Sequence, residues 1–509
     1  MKTKSKIEFG DFQTPPELAN LDAEAIVGLG LKPASIVEPT CGIGNFIAAA
    51  CKAFPNSKTI LGLETNSTYF GMVNERISIE RIKQSVDLRK DDFFTFNWKK
   101  AFDCIKEPIL IIGNPPWVTA SELGSLESSN LPSKSNFQKH RGFDALTGKS
   151  NFDIAEWMYI HMLECLRGKN ATIGMLLKTS VARKVLIHAW KTGFPIAEAK
   201  IYHFDVQKYF DIGADACLLV CELKSNISSL ECQIMDLEDP EKKLGSIGYY
   251  DGILLANKKL FIKNKKLFSG TRINLHYRWR SGIKHDCSAI MEFSMDDFGT
   301  LRNGLKEKVS IEPEIIYPLL KGSDIANGNE QKPKRFMLVP QLETGQDTSS
   351  LKHRMPNAWK YLQKHEVLLA RRKSSIYRNR PKFSIFGVVE YAFAPWKVAI
   401  CGLYKKLEFV VVGKYDGKPI VLDDTCYQLP MNTKAEAALI AELLNSHLAK
   451  SFFEAFIFWD SKRPITAELL GRIDLMALAN VLGKGASLRK LRPEIKTQCE
   501  LDSLAFAAR

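Results

Sequence analysis

The stretch 109–117, Ile-Leu-Ile-Ile-Gly-Asn-Pro-Pro-Trp, carries the most specific chemical signal in the sequence. Pro115 and Pro116 fix φ and donate no N–H, so the carbonyls beside them can accept hydrogen bonds from outside the secondary structure. Asn114 adds a side-chain carbonyl and Trp117 a large flat ring. Two acceptors and a stacking surface suit a planar group that carries an NH2. The β-branched run before them reads as a short strand buried on both faces, which would deliver this turn rigidly into a pocket.

Upstream residues give that pocket a second occupant. In Phe12-Gln-Thr-Pro-Pro-Glu17 a helical pattern follows Thr14, so a hydroxyl and unpaired backbone N–H groups make a corner for a carboxylate. Ser35-Ile-Val-Glu-Pro-Thr-Cys-Gly-Ile-Gly and the alanine-rich run after it read as strand, glycine turn and helix, which presents a nucleotide-like cofactor at a strand end. Glu38, Pro39, Cys41, Gly42 and Gly44 are the candidates of that turn. Ile47 stands where a dinucleotide fingerprint needs its third glycine, which disfavours NAD, and no Gly-Lys-Ser/Thr follows to make a P-loop. Glu38 would face a cationic part or the hydroxyls of a ligand. Glu64, closing a second strand pattern, sits where a ribose-binding carboxylate belongs, and Asp92 beside Phe93 suits an adenine amino group and its ring face.

These positions require alternating strands and helices. Helical patterns at 151–166 and 182–190, and strand patterns at 171–177, 201–204 and 216–223, extend the series, with a turn at 210–215. They predict an α/β fold: a doubly wound, mostly parallel sheet over residues 1–235, followed by a mixed α+β domain over 236–509. A linker is expected at Asp236-Leu-Glu-Asp-Pro-Glu-Lys-Lys, and 118–150, rich in Ser, Asn, Gly and Lys, reads as a substrate-closing loop. No run of about 18 uncharged apolar residues and no secretory pattern appears, so a cytoplasmic location without a membrane partner is expected. The 11 cysteines are scattered without a CxxC pair, which points to reduced thiols and to no metal site.

Charge separates the two halves. Residues 1–240 hold 27 Lys+Arg against 29 Asp+Glu, whereas 241–509 hold 44 against 28. The excess positive charge therefore lies wholly in the second half, the footprint of a nucleic-acid-binding region beside a near-neutral catalytic one. There basic residues interleave with aromatic ones: Tyr277-Arg-Trp-Arg, the run Arg371, Arg372, Lys373 through Tyr377 and Arg378 to Arg380, Trp396-Lys, and Trp459-Asp-Ser-Lys462-Arg463. Cations for phosphates, mixed with flat side chains that reach bases, are what a DNA-reading domain needs.

Taken together the motifs resemble one family, the amino-directed DNA adenine methyltransferases of the gamma arrangement, which use S-adenosylmethionine. Phe12-Gln-Thr-Pro-Pro is similar to their carboxylate-binding motif, Glu38-Pro-Thr-Cys-Gly-Ile-Gly to their cofactor loop, and Asn114-Pro-Pro-Trp117 to their catalytic tetrapeptide. About 70 residues separate the loop from the tetrapeptide, too few for a recognition domain, which must then follow the catalytic one. Tyr317-Pro-Leu-Leu-Lys-Gly-Ser-Asp, Phe383-Ser-Ile-Phe-Gly, Asp423-Asp-Thr-Cys-Tyr and Asp460-Ser-Lys-Arg-Pro-Ile-Thr resemble target-recognition segments. The resemblance implies that Thr14 binds the methionine carboxylate, Glu64 the ribose, and Asp92 with Phe93 the cofactor adenine. It implies that Phe210 and Trp117 stack on an adenine extruded from duplex DNA, with any cognate restriction endonuclease on another polypeptide. Two departures stand out: Trp117 replaces the commoner tyrosine, and Val389 stands where relatives often have glycine.

Rival readings share the tetrapeptide. A methyltransferase acting on RNA or on a protein glutamine would present the same NH2 to it, but usually lacks so long a basic half. A DNA-binding modification subunit that needs a partner for activity differs only in what the isolated chain can do.

Overall fold

The computed structural model describes residues 13–80, 82–118, 153–210, 215–224, 227–270, 277–296 and 298–493. Phe12, the expected loop at 118–150 beyond Val118, and residues 211–214 of the expected turn lie outside them. The chain divides into two compact units, Met1–Lys258 and Lys259–Arg509.

The first unit begins with helix α1 (Pro16–Val27) and then alternates: β1 (Ser35–Glu38), α2 (Asn45–Ala53), β2 (Thr59–Leu63), α3 (Ser67–Ile79), β3 (Ser85–Arg89), α4 (Trp98–Cys104), β4 (Ile109–Gly113), α5 (Ile154–Cys165), β5 (Ala171–Lys178), α6 (Thr179–Lys191), β6 (Ile196–His203), the short α7 (Val206–Tyr209), β7 (Ala216–Leu223), β8 (Glu231–Asp236), β9 (Lys243–Tyr250) and β10 (Ile253–Leu255). These ten strands form one sheet in the order β10-β9-β8-β6-β7-β5-β4-β1-β2-β3. From β3 to β5 all pairs are parallel, as helical crossovers require, while β7 runs antiparallel between β5 and β6. Ile109, Leu110, Ile111 and Ile112 are fully buried, each contributing roughly 1.5–3 kcal/mol of hydrophobic stabilisation. Strand order reverses between β1 and β4, whose Val37 and Ile111 are paired. At such a switch point successive crossovers leave toward opposite sides, so a crevice opens beyond the carboxyl ends of the two strands.

The division between units falls 23 residues later than the expected boundary. Asp236-Leu-Glu-Asp-Pro-Glu-Lys-Lys is no linker but the hairpin turn from β8 to β9, and β8 pairs in parallel with β6, so the sheet continues to Leu255. Polarity alone could not tell a hairpin turn from an interdomain connection.

The second unit is mixed α+β. One sheet has four strands, in the order Arg280–Ser281, Cys426–Met431, Trp396–Cys401 and Val410–Val412; another has five, Leu301–Asn303, Glu292–Met295, Arg335–Leu338, Ile316–Leu320 and Val421–Leu422. Helices Lys434–Asn445 and His447–Glu454 bury Leu444, Phe452 and Phe453.

Candidate active site

The crevice at the β1/β4 switch point encloses about 240 Å³ and is lined by Thr14, Glu38, Glu64, Asp92, Phe93 and Asn114 among others. Pro39, Cys41 and Gly42 also face it, whereas Gly44 does not. Gly44 caps α2 with φ +80°, and a Cβ there would lie 3.1 Å from Val73, so its part is to start the helix. Gly42 has φ +53°, and a Cβ on it would strike the Gln13 carboxamide oxygen at 2.5 Å. That oxygen accepts from the Ile43 N–H at 3.1 Å.

Glu38 closes β1, and Glu64 and Asp92 stand past the ends of β2 and β3, each in a distinct electrostatic setting. The Glu64 carboxylate accepts from the N–H groups of Gly42 and Asn66, both at 2.7 Å, which ties the ends of β1 and β2 together. Glu38 is 2% exposed; burial pushes its carboxyl well up, and Glu64 adds to the rise, against the Ile47 N–H and Arg76. Its Oε2 has no hydrogen-bond partner among the described residues. A buried carboxylate oxygen left this way is costly, and it fits a cation or a hydroxyl supplied by a ligand. Asp92 turns its carboxylate onto the Phe94 N–H at 2.9 Å, and Phe93 packs on Trp98 with ring centroids 5.2 Å apart.

Thr14 departs from its expected surroundings. The N-cap of α1 is Pro15, without a side-chain cap, so the Thr14 hydroxyl is not spent on the helix. It accepts instead from the Asn114 side-chain N–H at 3.1 Å, a contact spanning 100 residues of chain. Asn45, which sequence reasoning passed over, donates to the Thr14 carbonyl at 2.6 Å and itself accepts from Arg76. The Thr40 hydroxyl reaches the Asn114 carbonyl at 3.5 Å. Behind this turn Trp117 donates its indole N–H to the Leu176 carbonyl at 3.3 Å and meets Phe210 with ring centroids 5.5 Å apart. Both rings are buried, so a base stacked between them requires the rings to part.

The basic run of the second unit divides on inspection. Arg371, Lys373 and Arg378 are exposed, but Arg372 is half-buried and donates to the carbonyls of Leu369, Ser384 and His285 at 2.9, 2.7 and 3.4 Å. Its guanidinium lies 3.8 Å from the centroid of Tyr377. The groove of about 420 Å³ beside it is lined by Lys373, Arg378, Arg380 and Lys382. Lys462 is exposed and Arg463 half-buried, in the turn before the helix Ala467–Leu470. Among the described residues no cluster of three or more His, Cys, Asp or Glu could hold a metal, and no helix is long and apolar enough to cross a membrane.

A Rossmann-like sheet with a cleft at its switch point and an Asn-Pro-Pro-Trp turn on the adjoining strand is the arrangement of a methyltransferase domain. No protein-family model matches the sequence. The chain is 44% identical over 479 residues, 94% of its own length and 98% of the relative's, to the type II methyltransferase M.NspV of Nostoc sp.. It is 31% identical over 119 residues, 23% of its length and 27% of the relative's, to the type II methyltransferase M.CvrRI of Paramecium bursaria Chlorella virus XZ-6E. The type IIL restriction-modification enzyme MmeI, solved with DNA, aligns over 99% of this chain and 79% of its own at 15% identity, with a TM-score of 0.49. The chain belongs to the type II methyltransferases of restriction-modification systems: it is a DNA methyltransferase, and its cofactor is S-adenosylmethionine. The cleft fits that cofactor, since the unpartnered Glu38 oxygen, the Glu64 carboxylate and the Asp92-Phe93 pair match a ligand carrying a cation, hydroxyls and an adenine.

Proposed function

We propose that this chain methylates the exocyclic N6 of an adenine rotated out of duplex DNA at a specific sequence, as the modification enzyme of a system whose endonuclease is a separate polypeptide. The observation that carries the reading is the contact between the Asn114 side-chain N–H and the Thr14 hydroxyl. With its nitrogen engaged there, the Asn114 side-chain oxygen serves in this reading as one acceptor and the Pro115 carbonyl as the other. These two acceptors match the two hydrogens of an amino group.

The amino nitrogen of adenine is a weak nucleophile because its lone pair is delocalised into the ring. Two acceptors pull the nitrogen toward tetrahedral geometry and return the lone pair to it. When bound, S-adenosylmethionine supplies an activated methyl group with a good leaving group, so the protein's contribution is positioning. Glu38, Glu64 and Asp92 hold the cofactor side of the cleft, and Asn114 and Pro115 orient the acceptor. The target amino group is paired inside a duplex, so the base must leave the stack at a cost of a few kcal/mol, offset in part by Trp117 and Phe210. In this reading Arg371, Lys373, Arg378 and Lys462 meet phosphates. Arg372 and Tyr377 hold the loop that presents them.

The test is sequencing that distinguishes 6-methyladenine from 4-methylcytosine in DNA of methylation-free cells expressing the chain. Methyladenine at one short motif is expected. Methylcytosine, or no mark on DNA, would refute the base assignment.

A further inference from the structure

The two prolines of the catalytic turn create a holding problem. Residues 115 and 116 have no N–H, so neither can be fixed through a backbone donor, and the turn is held at its carbonyls and side chains. Asn114 is gripped by Thr14 and Thr40, as described above. At the other end the grip comes from β5. Leu176 and Lys178 lie at the end of that strand. The Leu176 carbonyl takes the Trp117 indole N–H, and the Lys178 ammonium donates to the Trp117 carbonyl at 3.1 Å.

Lys178 also donates to Asp153 Oδ2 at 2.7 Å. Asp153 is 5% exposed, and its other oxygen caps α5 by accepting from the Ala155 N–H at 3.2 Å. The Ile154 N–H donates to the Val118 carbonyl at 2.9 Å. One ammonium thus joins the end of the catalytic turn to the start of α5.

We infer that Lys178 is a positioning residue for methyl transfer: by bridging the Trp117 carbonyl and the Asp153 carboxylate it sets the Asn-Pro-Pro-Trp turn in its transferring geometry. The inference rests on the reading of that turn as the transfer centre. It adds a residue outside those that line the cleft.

Lys178→Met alone strands a buried carboxylate and can fail to fold for that reason. Lys178→Met combined with Asp153→Asn removes the stranded charge, keeps the cap of α5 and still deletes the grip on Trp117. Transfer of labelled methyl from S-adenosylmethionine to genomic DNA of a methylation-free strain is measured for the wild type, the double variant and Asn114→Ala, with denaturation midpoints. The double variant is expected to unfold at the wild-type midpoint with kcat lower by about 100-fold and KM for S-adenosylmethionine within about threefold, as misplacement of a reacting group produces. A double variant with wild-type kcat, beside an inactive Asn114→Ala, overturns the role of Lys178 alone. Full activity in Asn114→Ala overturns both this role and the reading it rests on.

Discussion

In the first unit Glu38, Glu64, Asp92 and Asn114 stand at or just past the carboxyl ends of parallel strands, whereas Arg371, Lys373, Arg378 and Lys462 of the second unit stand on turns and irregular segments. The consequence is a difference in what holds each group. Glu64, Thr14 and Asn114 are tied to backbone and side chains of neighbouring segments. Lys373 and Arg378 are exposed and their charge faces water. Catalysis by positioning needs the first arrangement. Contact with phosphates, which fixes register by charge and tolerates side-chain freedom, is served by the second.

The comparison breaks most sharply at Asn114. Asn114→Ala removes an acceptor made only for transfer, so kcat should fall by about 10²–10³-fold while cofactor and DNA affinities hold within about twofold, measured by single-turnover transfer and by equilibrium binding. Glu64→Ala comes next: it leaves the N–H groups of Gly42 and Asn66 without their acceptor, at about 1–3 kcal/mol, and calorimetry should show cofactor affinity down by about 10–100-fold.

The second unit gives smaller and different responses. Arg378→Ala should weaken DNA binding and reduce the salt slope by about 1, read from affinity against salt concentration. Arg372→Ala should instead lower the denaturation midpoint and leave the salt slope unchanged, because its guanidinium already serves three carbonyls. Equal salt slopes for both variants and the wild type would dissolve the distinction between presenting and holding cations.

A further effect concerns Lys397, fully buried on its strand with its ammonium donating to the carbonyls of Ala394 and Ile420 at 2.7 and 2.9 Å. Burial pushes this lysine down from 10.5 to about 7. Between those two values the unfolded chain binds the proton and the folded chain does not, so stability rises with pH from about 7 toward 10.5. Below about 7 both states carry the proton and the dependence ends. Urea midpoints across that window should rise in the wild type and flatten in Lys397→Met.

The same contrast explains what could be read in the sequence. A strand that must be buried on both faces writes an apolar run, and the residue just after it is exposed to the crevice by construction. Glu38, Glu64 and Asn114 were legible for that reason. The hydroxyl of Thr14 was not, since its acceptor role depends on an amide 100 residues away. Lys178 was hidden one position past the expected strand 171–177, where its type suggests only a solvated charge. In the basic run, charge shows in the sequence, but the carbonyls that consume Arg372 come from up to 87 residues off. The sequence therefore showed that the second unit is basic without telling which cations are spent internally.

The central claim is that Asn114, steered by Thr14, directs methyl transfer to an adenine amino group. The most direct measurement is modification-detecting sequencing of DNA from methylation-free cells carrying the wild-type chain or Asn114→Ala. Methyladenine at one short motif, present with the wild type and absent with the variant, is the predicted result. The same methyladenine in both strains, or methylcytosine in the wild type, would contradict it.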